Sequence, residues 1–86
     1  MSYTCKLRSV GNPDYGQYAP VSVPLGVETE SLAGITRMAK RYVADWNLGG
    51  GNWPTIIVKR DGKPFAVLGY NGTLWDVKDR SREIEA

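Results

Sequence analysis

Over residues 3–10 the chain alternates, with Tyr3, Cys5 and Leu7 to one side and Thr4, Lys6 and Arg8 to the other. A period of two is that of a strand with one face buried. Gly11-Asn12-Pro13-Asp14 ends it, a cluster whose members all favour turns. Across residues 14–30 Pro20 and Pro24 interrupt any helix, and Val21-Ser22-Val23 between them reads as a short edge strand. A connection this long in a compact domain is either functional or held down by its own aromatics, here Tyr15 and Tyr18.

The period then changes. Leu32, Ile35, Met38, Ala39, Tyr42, Val43 and Trp46 recur at spacings of three and four, which predicts an amphipathic helix over Leu32–Trp46. Thr29 or Ser31 supplies its N-cap, and Gly49-Gly50-Gly51 stops it. Residues 55–60 and 63–68 flank Asp61-Gly62, a hairpin signal because a type I′ turn needs positive φ at both central positions. Asn71-Gly72 repeats the signal ahead of residues 73–77. The pattern predicts an α+β fold: one amphipathic helix packed on an antiparallel sheet made of a three-stranded C-terminal meander plus the N-terminal strand. Residues 1–86 read as a single domain, with 78–86 a charged C-terminal tail, frayed or a short helix.

Two-residue loops at both turns pair Val58 with Phe65 and Ile56 with Val67, a face for the helix to cover. The same count gathers Ile57, Ala66, Leu68, Trp75 and Val77 on the other face, which is too apolar to be left in water. Either the N-terminal strand or segment 14–30 covers it, or a bulge after Tyr70 shifts the third strand, or the face docks a partner or a second copy of the chain. Interfaces favour aromatic anchors, so the partner-binding candidates are Trp75, Tyr70, Trp53, Ile57, Leu68 and Val77. Trp53, between three glycines and Pro54, is either a plug for the core or an exposed anchor.

At 86 residues, 42% hydrophobic and 23% charged, the composition is that of an ordinary globular domain and argues against intrinsic disorder. No run approaches the roughly 18 apolar residues of a membrane span. The opening residues lack a basic-then-apolar leader and Cys5 is the one cysteine, so the expectation is a cytoplasmic protein. A net charge of +2 neither requires nor excludes nucleic acid. The possible contacts to phosphate or to an acidic partner are Arg37, Lys40 and Arg41 on the helix and Lys59, Arg60 and Lys63 at the hairpin.

The chain has no histidine, the commonest general base and metal ligand. With one cysteine and scattered carboxylates we expect no metal, no cofactor and no enzymatic activity. Asp45, Asp61, Asp76 and Asp79 each have a turn, helix-end or ion-pair role open to them. Gly49-Gly50-Gly51 follows the helix instead of preceding it, so the dipole has the wrong sign for a phosphate cradle.

In size, single-domain form, helix-plus-meander layout and lack of catalytic residues, the chain resembles the small anti-CRISPR and other host-takeover inhibitor proteins of phages and mobile elements. The resemblance is one of size and layout across the whole chain. It implies a non-enzymatic protein-binding module that inhibits a larger complex by steric blockade. The alternatives are a nucleic-acid-binding accessory domain using the basic helix face and hairpin tip, and a structural subunit that self-assembles as a homodimer.

Overall fold

The computed structural model describes residues 2–85 of the chain; Met1, and Ala86 at the end of the expected tail, lie outside the described residues. The helix α1 runs Leu32–Trp46. Ser31 caps it, its hydroxyl accepting the Gly34 amide at 3.1 Å. The glycines do not end it: Asn47 does, in the left-handed conformation at φ 50°, and Gly50–Asn52 form a separate 3-10 turn. Asparagine tolerates that conformation because its short amide side chain fits beside the local backbone.

Six strands form one antiparallel sheet: β1 Tyr3–Leu7, β2 Leu25–Thr29, β3 Ile56–Arg60, β4 Lys63–Leu68, β5 Leu74–Asp76 and β6 Glu83–Ile84, in the order β2-β1-β3-β4-β5-β6. The sequence pattern suggests four, with Val21-Ser22-Val23 as a short fifth at an edge. The added edge strand is β2, which takes the place expected of Val21-Ser22-Val23, since Pro20 and Pro24 confine that segment to three residues, whereas beyond Pro24 a run of five proline-free residues pairs with β1. The other is β6, drawn from the expected tail by the pairing of Ile84 with Leu74. β1 stops at Leu7, short of residue 10, where Ser9 turns inward and is buried.

At Asp61-Gly62 both φ angles are positive, 50° and 85°, the type I′ hairpin. Its ladder then slips: Arg60 pairs with Lys63 and Lys59 with Pro64, but Val58 pairs with Ala66, leaving Phe65 as a bulge. β5 meets β4 only from Ala66 onward, so Pro64 lies beside the bulge with no strand on that side, a place where a missing amide is tolerated. The second turn is wider than two residues. Leu68 pairs with Leu74 around a loop closed by the Gly69 amide on the Thr73 carbonyl at 2.7 Å, with only Gly72 at positive φ.

α1 lies over β1 and β2. Ile35, Ala39 and Tyr42 from the helix meet Leu7, Val27, Ile56, Val58, Ala66, Leu68 and Leu74 from the sheet in one core. Tyr15 and Tyr18 do not hold the 8–24 segment down; they are 80% and 85% exposed. Polar side chains hold it. The buried Asn52 side chain donates to the Val10 carbonyl at 3.0 Å and to Gln17 at 2.9 Å, and Tyr42 donates to the Val23 carbonyl at 2.6 Å. All these anchors are on the helix side of the sheet or at its end.

Candidate functional site

The bulge and the wide second turn decide what the sheet face away from α1 presents. The bulge turns β4 over, so that Ala66 and Leu68 enter the core while Phe65 also packs on the helix side, 5.8 Å from Tyr3 and under the Arg60 guanidinium. The wide turn shifts β5 by one in compensation. Trp75 therefore stays on the outer face, opposite Val67, which is itself opposite Ile57. The outcome is one straight row, Ile57, Val67 and Trp75, across three neighbouring strands, each half-buried by its own neighbours.

The expected partner-binding set is thereby divided. Leu68 is 1% exposed and belongs to the core, so it is withdrawn from the surface. Trp53 and Tyr70 pack edge to face, 6.3 Å apart, and each commits its polar atom inward: the Trp53 indole donates to the Leu68 carbonyl at 2.9 Å and the Tyr70 hydroxyl to that of Leu48 at 2.8 Å. Trp53 packs against the end of the core, while the Tyr70 ring beside it stays 38% exposed. Val77 follows β5 and is half-buried. The Trp75 indole N–H, by contrast, has no hydrogen-bond partner among the described residues.

The basic candidates are also regrouped. Lys59 lies on the outer face beside Thr4 and Lys6, whereas Arg60, one residue on, is turned to the helix side over Phe65. Lys63 is exposed at the hairpin. Arg37 and Arg41 line a groove between α1 and β2, Arg41 pairing with Asp45 at 3.7 Å, while Lys40 leans toward Gly72 on the opposite flank of the helix. Sequence reasoning missed Val67, because the bulge reverses it. It also missed Lys6 and Arg8, which alternation with the buried Leu7 places on the outer face; the Arg8 guanidinium donates to the Thr55 carbonyl at 3.1 Å. Lys6, Arg8 and Lys59 thus flank the apolar row on one side, and Glu83, paired with Trp75, marks the other.

Three of the carboxylates are occupied by nearby amides. Asp76 accepts the amides of Lys78 and Asp79, and Asp79 accepts the amide and hydroxyl of Ser81, bonds that hold its carboxyl below the usual range. Asp61 accepts the Ser2 amide in the hairpin turn. Among the described residues no three His, Cys, Asp or Glu side chains gather where a metal could sit, and no helix is long and apolar enough to cross a membrane.

Burial pushes the Cys5 thiol up to about 11 from its ordinary 9.0. The thiolate is the reactive species, so alkylation of the folded chain by iodoacetamide at pH 8 is expected to run at least about tenfold slower than in urea. The sign for stability follows. Between pH 9 and 11 the unfolded chain ionises Cys5 while the folded chain keeps it protonated, so this group's contribution is complete below pH 9 and is lost as pH rises through 11. An alkylation rate at pH 8 equal to that in urea would overturn the assignment. Compared with known protein families, with curated proteins and with solved structures, the chain matches none.

Proposed function

We propose that the protein is a non-enzymatic protein-binding module that docks the outer sheet face on a larger protein and inhibits it by steric blockade. The observation that carries this is the row Ile57, Val67 and Trp75 on the side of the sheet away from the helix, with Trp75 keeping an uncommitted indole donor. A rigid strand surface holds these side chains without further ordering on binding, and Trp is the residue type most enriched among interface hot spots. Lys6, Arg8 and Lys59 beside the row select a partner whose apolar patch is bordered by carboxylates. Blockade is in keeping with size: a standard interface takes about 800 Å² from each partner, a large share of what so small a domain can offer. Inhibition follows from the resemblance in size and layout to phage inhibitor proteins.

The test is affinity capture with the tagged chain, followed by titration of the purified captured protein. Trp75→Ala is expected to weaken that complex by about 30-fold or more, the effect of a hot spot, while Arg37→Ala, on the other side of the molecule, leaves it unchanged. Retention of nucleic acid alone, lost steeply between 50 and 200 mM salt, would replace the proposal with the phosphate-binding alternative.

A further inference from the structure

One edge of the sheet is unguarded. β2 pairs with β1 over five residues without a break and contains no proline, lysine or bulge, three of the features that keep sheet edges from pairing further; its one charged residue is Glu28. The other edge, β6, is two residues long. Along the free side of β2 runs a groove against α1, about 250 Å³ at the end with Leu25, Tyr42 and Trp46 and about 430 Å³ at the end with Thr29, Gly34 and Arg37. Its apolar lining stands in water: Leu25 and Trp46 are each 41% exposed, and Val23 65%.

We propose that a second copy of the chain occupies this edge, β2 pairing antiparallel with β2 about a two-fold axis at Val27 so that two sheets become one. The register is self-complementary. About Val27, Leu25 meets Thr29, Gly26 meets Glu28 and Pro24 meets Glu30, so no like charges face each other along the strands. The helices obey the same axis. Met38 and Arg41 line both ends of the groove and are therefore level with Val27, midway between Leu25 and Thr29. Rotation about that point runs the two helices antiparallel and brings Asp45 of each copy toward Arg37 of the other.

The spacing also fits. α1 lies over β1 and β2, so its axis stands about half a strand spacing inside β2, and the two-fold axis half a spacing outside it. The helices are then about two strand spacings apart, roughly 9–10 Å, which is the distance of packed helices. An isolated peptide strand added to β2 would offer no carboxylate to Arg37, whereas a second copy brings Asp45, held within its own chain, among the described residues, only by the exposed pair with Arg41.

The test measures mass by light scattering over a concentration series, with circular dichroism to establish that each variant is folded. The wild-type mass is expected to rise toward twice that of the chain. Arg37→Asp and Asp45→Arg, both on exposed positions, are each expected to weaken association by about tenfold or more, because each reversal sets two like-charged pairs across the axis. Mixing the two variants restores both opposite-charge contacts in a heterodimer, so the dimer mass is expected to return in the mixture. Trp75→Ala leaves association as in the wild type. A wild type that stays at single-chain mass to millimolar concentration overturns the proposal, as does a mixture that fails to reassociate, or a dimer abolished by Trp75→Ala, which would move the contact to the outer sheet face.

Discussion

Replacing Tyr42 by alanine is expected to lower the melting temperature by about 15–30 °C, or to abolish a cooperative transition altogether. The ring is 3% exposed at the centre of the helix's buried stripe, and removing a buried aromatic costs about 3–5 kcal/mol. For a domain of this length that is comparable with the whole margin of stability, and each kcal/mol corresponds to about 4–8 °C. Tyr42→Phe separates the ring from its hydroxyl. The hydroxyl donates to the Val23 carbonyl at 2.6 Å and lies 2.6 Å from Ser22, which in turn lies 2.6 Å from Ser9, whose hydroxyl accepts the Val21 amide. Phenylalanine leaves the part-buried Val23 carbonyl without its donor, while Ser22 keeps its bond to Ser9, at a cost of about 1–3 kcal/mol. Residues 21–23 are tied to the helix through this chain of bonds, so their amides are expected to exchange with solvent faster in Tyr42→Phe. Unchanged melting and exchange in that variant would mean that packing alone positions the segment.

Tyr42 also shows what could and could not be read from the sequence. Its place on the apolar stripe is visible from the spacing of Ile35, Ala39 and Trp46, and α1 occupies the span that spacing marks. Its hydroxyl partners are twenty residues away across a segment with no periodicity, and nothing local announces them. The same division runs through the sheet. Asp61-Gly62 dictates its own turn, because the preference for positive φ resides in those two residues. The bulge at Phe65 is a compromise among distant groups: it lets Phe65 reach Tyr3 and Arg60 while Ala66 and Leu68 enter the core. Pro64 is the local hint, since a proline inside a strand often stands at an irregularity. A face assignment made by counting from the turn inherits every such shift, which is why Trp75 is placed on the outer face by either count and Leu68 is not. The candidate site was legible in its central aromatic and not in its outline. Lys6 and Arg8 join Lys59 only because β1 crosses to lie beside β3, a pairing that no turn specifies.

Gly11 supplies the second large effect. In the sequence it reads as part of a turn, a position valued for conformational freedom, but it is not among the residues with positive φ. What it provides is room. A Cβ there would lie 2.6 Å from the Gln17 carbonyl oxygen and 2.7 Å from the Ala19 amide nitrogen, both backbone atoms that cannot rotate aside. Relief requires the 11–19 loop to open, and Gln17 cannot withdraw without loosening its bonds to the Asn12 amide and the buried Asn52 side chain. Gly11→Ala is therefore expected to destabilise the fold by about 1–3 kcal/mol, as overpacking does, and to lower the melting temperature by about 5–20 °C. Gly26→Ala serves as the contrast: nothing lies within 4 Å of its Cβ position, and alanine restricts the unfolded chain, so its stability should match or exceed the wild type by up to about 1 kcal/mol. Urea unfolding of the two variants decides the matter. If Gly11→Ala is as stable as Gly26→Ala, the loop yields freely and the Asn52–Gln17–Asn12 cluster does not hold residues 8–24 to the end of the sheet; if only Gly11→Ala is weakened, close backbone approach is what that position selects for.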